Sequence, residues 1–414
     1  MRFEELLERW GTGRLSHSEA AAALGVSERT FCRWRGRYAE EGAEGLVDRR
    51  VGQPSPRRAP EAELQRMLKL YHEHYAGFAI RHFHDTLRHR HGYKLGYTTT
   101  RLWLQKSGVV AAAPKRGAHR RRRPRRPMAG MMLHQDASTH AWLAGQPPLD
   151  LVITLGSADP STPWPAPLGA GGDDATSAIY SAVLVEQEGT ASSFLGLAEV
   201  IERHGLFIEL DTDRAQRARS VPAGTAAGRR RRRGSPYFHT PEAGGKVSRT
   251  QLTQVGRALK QLGIGHIAAY SPQARGRCER AFRTLQGRLP KELQLAGITS
   301  VAAANRYLRE VYLPEHNARF AVSPEQPASA FVKVPAELWR DLLCVQAERQ
   351  VGNDNCVRWQ GRVLQIPPSP LRPHFVRSTV RVHEYPDGAI TLFKGPHRLA
   401  TFPPAAEPTQ ELAA

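Results

Sequence analysis

Residues 111–127 read AAAPKRGAHRRRRPRRP. Cations this dense cannot be buried together, and the prolines interrupt helix and strand alike. The segment therefore reads as a flexible basic linker over 113–127. The chain's 414 residues exceed one ordinary core, so about two to four domains are expected. Lys plus Arg outnumber Asp plus Glu by 59 to 39, a formal charge of +20. An excess of that size points to a polyanionic partner, nucleic acid ahead of an anionic membrane. The linker would then track a DNA backbone by neutralising phosphates without reading bases. The plainer reading is a solubilising spacer.

Other chemistries are excluded early. The cysteines Cys32, Cys278, Cys344 and Cys356 have no CxxC spacing, which argues against structural zinc and a disulfide framework. MRFEELLERW is charged and lacks the apolar core of a signal peptide. No apolar run of about 18 residues is present to span a membrane. The expected setting is a reduced cytoplasm, on or near the nucleoid.

Residues 1–50 read as a helix-turn-helix DNA-binding domain. Ser16-His17-Ser18-Glu19 has the S-x-x-E form of a capping box and opens an Ala-rich helix that stops at Gly25. Ser27 then caps a helix from Glu28 to about Glu40. Phe31, Trp34 and Tyr38 share its buried face. Arg29, Arg33 and Arg37 recur every fourth residue on another face. Helix, Gly turn and capped basic helix form the plan of a groove reader, with Ser27, Arg29, Thr30, Arg33 and Arg37 as candidate contacts. A small helical hairpin with a solvated basic face is the alternative.

A Pro/Arg-rich break at 54–60 leads into a second helical, helix-turn-helix-like region over 54–112. It runs through Leu64, Leu68 and Tyr71, then Phe78, Ile80 and Phe83, then a helix starting near Thr98–Thr100. His72, His74, His82, His84, His89 and His91 do not repeat closed zinc spacings, so solvated or phosphate-facing histidines are expected.

From residue 129 the period changes. Met131–Asp136 reads as a short strand ending in an acid. Leu149–Leu155 and Ile179–Val185 are further strands, Thr190–Arg203 a helix, and Leu206–Leu210 a strand running into Asp211-Thr212-Asp213. A helix follows over about Ser248–Leu262, then a strand Ile264–Tyr270 and a helix from about Arg277. A three-strand meander followed by alternating helix and strand predicts an α/β domain over 128–332 around a mixed sheet. Residues 340–402 carry short strands broken by Pro and Gly, with Asp387-Gly388 as a hairpin signal. This predicts a small all-β, SH3-like barrel, followed by a disordered tail at 403–414.

Three acids fit phosphoryl transfer on DNA. Such chemistry needs two divalent cations, roughly 3.5–4 Å apart, to activate the attacking oxygen and stabilise the departing one. Hard cations want carboxylates, which must converge from different elements. Asp136 is expected at the end of the first strand and Asp213 at the end of the fourth. Glu279 is expected at the opening of a helix whose apolar stripe is Phe282, Leu285 and Leu289. Each acid alone reads more readily as structural, since an acid at a helix start also complements the helix dipole.

At these residues the chain resembles bacterial insertion-sequence transposases with a retroviral-integrase-like catalytic core. LHQDAST around Asp136 is similar to the first-acid strand of that core, and DTDR around Asp213 to the second-acid segment. AAYSPQARGRCERAFRTLQGRL, preceded by VGRALKQLGIGH, looks like the third. ALGVSERTFCRWRGRY resembles the family's helix-turn-helix and VRVHEYPDG its C-terminal β module. The resemblance implies a ribonuclease-H-like fold and an Asp136, Asp213, Glu279 triad that is both catalytic and metal-binding, with two Mg²⁺ or Mn²⁺ ions. It also implies terminal-inverted-repeat binding, 3′-end cleavage, strand transfer to target DNA, and a homo-oligomer bridging two transposon ends.

Two segments depart from that pattern. Ser157–Gly172 lies between the second and third strands, where a longer loop costs little. Ala215–Arg233 separates Asp213 from the Gly234-Ser235 and His239-Thr240-Pro241-Glu242 that follow the second acid closely in the family. It ends in five consecutive arginines, expected either to reach DNA phosphates or to compete for the carboxylate. Both have the composition expected of out-of-frame translation of a GC-rich gene. Asp211, Asp173 and Asp174 are stand-ins for the second acid, ranked below Asp213. The alternative function is therefore a catalytically impaired relic that still binds DNA by sequence.

The two kinds of basic residue separate by experiment. Arg33→Ala should relax sequence preference. Neutralising Arg120, Arg121, Arg122, Arg123, Arg125 and Arg126 should weaken binding evenly across sequences and flatten its salt dependence. Titrations of several duplexes at several salt concentrations check both; the same loss for every duplex from both changes would remove readout from the helix.

Overall fold

The computed structural model describes residues 3–48, 58–112, 126–156, 178–213, 235–240, 246–248, 250–269 and 272–404, with 272–277 described by backbone alone. The chain divides into two compact units, Met1–His72 and Glu73–Ala414.

In the first unit, α1 (Phe3–Gly11), α2 (His17–Leu24) and α3 (Glu28–Glu41) follow the caps written in the sequence. Ser16 accepts from the Glu19 amide while Glu19 accepts from the Ser16 amide, which satisfies two donors the helix start leaves over. Gly25 ends α2 at φ 67°, a left-handed conformation that suits a residue without Cβ. Ser27 caps α3 by accepting from the Thr30 amide. Phe31, Ala20 and Ala21 are buried together with Phe3, Trp10, Leu24 and Val26 packed on them. Trp34 and Tyr38 are half-buried and lean on Phe3, with ring centroids 6.2 and 5.6 Å away. α4 (Glu61–His74) comes next in the chain.

The second unit continues with α5 (Ile80–His91) and α6 (Tyr97–Lys106). His82 and His84, expected to face solvent or phosphate, are buried instead. His82 meets the Glu292 carboxylate at 2.6 Å and His84 the Leu95 carbonyl at 3.1 Å. They lie on the packed side of α5, where the ring is more useful than the charge.

The mixed sheet is built from β1 (Met132–His140), β2 (Leu149–Gly156), β3 (Ile179–Val185), β4 (Glu209–Asp213) and β5 (Gly265–Ala269), in the order β3-β2-β1-β4-β5. β1–β2 and β2–β3 are antiparallel, whereas β1–β4 and β4–β5 are parallel. β1 runs four residues beyond Asp136, contrary to the sequence expectation, because its pairing with β2 continues to His140↔Leu149. The fourth strand begins at Glu209 rather than Leu206; Leu206 pairs instead with Val332.

Helices cover both sheet faces. α7 (Thr190–Arg203) and α8 (Gln254–Gln261) bury Phe194, Leu197, Val200, Val255 and Leu259 against Leu133 and Leu210 on one face. α8 starts six residues later than expected, at the Thr253 cap; Ser248 makes only a local turn, accepting from the Gln251 amide. The other face carries α9 (Pro272–Leu295), α10 (Val301–Tyr307) and α11 (Leu313–Phe320). The α9 stripe Phe282, Leu285, Leu289 and Leu293 packs on Leu151, Ile153, Leu155 and Leu184 of the meander.

A four-stranded antiparallel sheet, β11-β10-β9-β6, and a two-stranded ribbon close the chain. They comprise β6 (Val345–Gln350), β7 (Cys356–Trp359), β8 (Arg362–Gln365), β9 (Thr379–Glu384), β10 (Ile390–Lys394) and β11 (His397–Phe402). Asp387-Gly388 makes the β9–β10 turn, with Gly388 at φ 84° and Asp387 accepting from the Ala389 amide. No described helix is long and apolar enough to cross a membrane.

Leu285 is fully buried between α9 and the sheet. Leu285→Ala should cost about 2–5 kcal/mol, transfer and cavity terms together. Leu102→Ala, at a position 55% exposed, should stay within about 0.5 kcal/mol. Urea unfolding followed by circular dichroism compares the two.

Candidate active site

The register of β1 and β4 organises the candidate acids. Gln135 is the parallel partner of Thr212, so Asp136 and Asp213 are the next residues along adjacent strands, which run roughly 5 Å apart. Alternation along each strand decides the face. Gln135 donates to Thr154 and to the Ser193 carbonyl of α7, so the odd residues of β1 face α7. Ser138 accepts from Gln286 of α9 at 2.9 Å, so the even residues, Asp136 among them, face α9. In β4, Leu210 belongs to the α7–α8 core, which turns Asp211 and Asp213 toward α9. Both strands thus present an acid to one face at one level.

Asp136 is buried at 8% exposure, and its Oδ1 accepts from the Ala137 amide at 2.9 Å. Asp213 is half-buried and is paired through the backbone with Ala269. Asp211, the lower-ranked stand-in, is engaged by His134 at 3.5 Å. Asp173 and Asp174 lie outside the described residues. Glu279 is exposed, and it does not open its helix: α9 begins at Pro272, two turns earlier. Proline suits a first helical position, so Pro272 starts the helix and Gly276 does not delay it. Glu279 lies seven residues before Gln286, on the helix side that meets β1, about 10 Å further along the axis. The structure thus brings Asp136 and Asp213 to one sheet face and sets Glu279 on the helix above it. Among the described residues no three His, Cys, Asp or Glu side chains are gathered closely enough to hold one metal ion.

Beneath the acids lies a polar layer that sequence patterning did not single out. Ser193 donates to the Tyr237 hydroxyl at 3.1 Å. Burial pushes that hydroxyl well above its ordinary range, with the nearby charges of Glu188 and Asp136 adding to the shift. Tyr237 stays a neutral phenol there. It follows the Arg-rich segment in sequence, and its carbonyl accepts from Thr253 at 2.8 Å. The core therefore closes on both sides of residues 214–234. His266 of β5 contacts Thr212 at 3.0 Å and stacks on Phe238 at 4.0 Å. His266 lies within the VGRALKQLGIGH segment, whereas nothing in the sequence pattern marks Tyr237.

The candidate DNA-contacting residues divide. Arg29 and Arg33 are exposed on α3. Ser27 and Thr30 bond to each other in the cap at 2.9 Å, and Arg37 donates to the Val47 carbonyl at 2.6 Å. Arg126 pairs with Glu209 at 2.8 Å, while Arg120, Arg121, Arg122, Arg123 and Arg125 lie outside the described residues.

Residues 6–65 match the winged helix-turn helix family. The N-terminal region is a winged helix-turn-helix domain. Over most of its length the chain is also similar to transposases of insertion sequences. It is 25% identical over 389 residues to a protein of Sinorhizobium fredii provisionally named as a transposase (y4bF), covering 93% of this chain and 77% of that one. It is 26% identical over 403 residues to the transposase for insertion sequence IS1202 of Streptococcus pneumoniae, covering 89% and 78%. Among solved structures, a simian T-cell lymphotropic virus intasome chain matches at 13% identity and TM-score 0.30, over 81% of this chain and 96% of that one. The HTLV-2 integrase catalytic core with magnesium matches at 12% and 0.26, over 43% and 82%. The winged helix-turn-helix and the α/β core occur in one chain.

Acid should destabilise this chain through His266. Burial holds its pKa at about 4, below the ordinary 6.5. The unfolded chain takes up the proton near 6.5 and the folded chain only near 4. Stability from this group is thus complete above 6.5 and falls as pH drops toward 4. Melting temperatures measured from pH 7.5 to 4.5 should decline, and His266→Gln should show a smaller decline.

Proposed function

We propose that this chain is an insertion-sequence transposase that binds terminal inverted repeats through α3 and cleaves and joins DNA strands at Asp136, Asp213 and Glu279. The observation that carries the reading is the parallel β1–β4 pairing. It presents Asp136 and Asp213 on one face, under the helix that bears Glu279, in a chain with a winged helix-turn-helix. The strand order, with three antiparallel strands followed by two parallel ones, supports a ribonuclease-H-like core. Similarity to insertion-sequence transposases over about nine-tenths of the chain supports the substrate class. An SH3-like C-terminal barrel and a homo-oligomer holding two ends complete the proposal, with domain bounds near 1–50, 54–112, 128–332 and 340–402.

The donor set suits Mg²⁺ or Mn²⁺, being carboxylate oxygen on a half-buried sheet face. When bound, such ions supply the polarisation of a phosphate oxygen and the activation of the attacking hydroxyl. Asp136 and Asp213 would hold them from the sheet, and Glu279 would complete the set from α9. The buried partners of Gln135 and the His134 contact with Asp211 fix the two strands beneath Asp136 and Asp213. On α3, exposed Arg29 and Arg33 have the reach and charge for base edges in a major groove.

A second reading is a relic that binds transposon ends without cutting them. It is favoured by Ala215–Arg233, which separates Asp213 from Gly234-Ser235 and ends in five arginines at 229–233. Nicking of a duplex carrying the element's own terminal repeat, with Mg²⁺ or Mn²⁺, separates the two. The expected result is metal-dependent cleavage at the repeat end, abolished by Asp136→Asn. Specific binding with no cleavage by either protein would leave the relic.

A further inference from the structure

α9 is a poor rod by its own sequence. It runs for 24 residues, yet Gly287 and Pro290 lie inside it. Pro290 has no amide hydrogen to donate to the Gln286 carbonyl, and its ring crowds that carbonyl, which is where helices kink. Glu279 lies eleven residues before this weak point, so a small bend at Pro290 becomes a large displacement of the acid. At 1.5 Å rise per residue the lever is about 16 Å long.

The structure braces that point from outside. Arg288, two residues before the proline, donates to Asp85 of α5 at 2.9 Å. Glu292, two residues after it, meets His82 of α5 at 2.6 Å. His82 and Asp85 are three apart on α5, and Arg288 and Glu292 are four apart on α9, so each pair shares one helix face. The contacts straddle the proline. They are also sheltered, with side-chain exposures of 1% for His82, 9% for Arg288, 17% for Asp85 and 19% for Glu292. Secondary partners saturate the acids: Arg319 of α11 reaches Asp85 at 3.7 Å, and Arg90 reaches Glu292 at 3.5 Å. Phe78 stacks on the His82 ring at 4.4 Å, and Phe320 lies under the Arg288 guanidinium at 4.9 Å. Solvent screening is weak at such contacts, and their geometry is stiff.

We propose that α5 is a splint across the Pro290 weak point of α9, with Asp85 and His82 as positioning residues that hold Glu279 at the level of the sheet acids. Gln286 and Ser138 tie α9 to β1 at one point, about which the helix can still pivot, and the splint fixes its direction there. His82 and Asp85 would touch neither metal nor DNA. Their influence on the reaction would pass wholly through the direction of α9. This role rests on the transposase reading for its use, but the splint is a mechanical property that can be measured without activity.

The experiment is amide hydrogen exchange on the full chain, comparing wild type, Asp85→Asn, Pro290→Ala and the double variant, at a temperature where circular dichroism shows all four folded. Asp85→Asn keeps the side-chain shape and removes the charge that holds Arg288. The expected result is at least tenfold faster exchange in α9 residues 279–289, with β2 and β3 unchanged. Pro290→Ala, which restores the missing donor, should return most of that protection in the double variant. Nicking rates should follow the same order, with affinity for the repeat duplex unchanged, and Pro290→Ala should rescue them. Wild-type exchange in Asp85→Asn would overturn the splint. Faster exchange spread evenly over the unit, or no rescue by Pro290→Ala, would overturn it too. If the exchange pattern appears as expected but the wild type never nicks DNA, the splint stands and the transposase reading fails.

Discussion

Everything at the candidate site depends on β1 having two different neighbours. On one side it pairs antiparallel with β2 over eight residues, from Leu133 to His140, and on the other parallel with β4 from Met132 to Gln135. The parallel ladder stops where Asp136 begins. A residue there keeps the rigidity of a central strand through its β2 partner, Ile153. Asp213 occupies the equivalent place on β4. A slip of one residue between the strands would turn one acid to the α7 face and leave the other behind. Leu133 and Leu210, both fully buried in the α7–α8 core, make such a slip costly.

The two sheet faces then divide the labour. The α7–α8 face is sealed by aromatic and aliphatic side chains, with a narrow polar layer of Gln135, Thr154, Ser193 and Tyr237 under the strand ends. Each hydroxyl in that layer fixes one element to another, so the strand bearing Asp136 is located by bonds as well as by packing. The α9 face is apolar over the meander and acidic over β4. The helix that spans it therefore touches hydrocarbon at Leu285 and Leu289, and carries its acid out toward solvent at Glu279. The acids thus grade from buried Asp136 through half-buried Asp213 to exposed Glu279.

Local chemistry made part of this legible in advance. The capping box at Ser16, the left-handed Gly25, the Ser27 cap and the Asp387-Gly388 turn are short-range devices, and the chain uses them as written. β2, β3 and α7 were equally readable, because their apolar patterns are long and their ends are marked. Misreadings came where a local mark competed with a distant partner. Asp136 looks like a strand end, but β2 carries the strand past it. Gly276 looks like a helix boundary, but α9 starts at Pro272. Ser248 looks like a cap, and it does form a turn, yet the helix waits for Thr253. Composition alone makes His82 of α5 look solvated, whereas it is buried against Glu292, 210 positions later. The register that sets Asp136 beside Asp213 is a tertiary fact of the same kind, and no spacing rule in the chain encodes it.

Asp213 and Tyr237 flank residues 214–234 in sequence, and each is held by contacts within the core. Asp213 is fixed by the ladder to β5, and Tyr237 by Ser193, Thr253 and its own burial. The distance to be bridged is thus set by the scaffold, and adding chain between two fixed points costs only a slowly growing closure entropy. A change of length at this junction is therefore expected to cost folding little. The same junction is a natural port for an epitope or a fluorescent reporter.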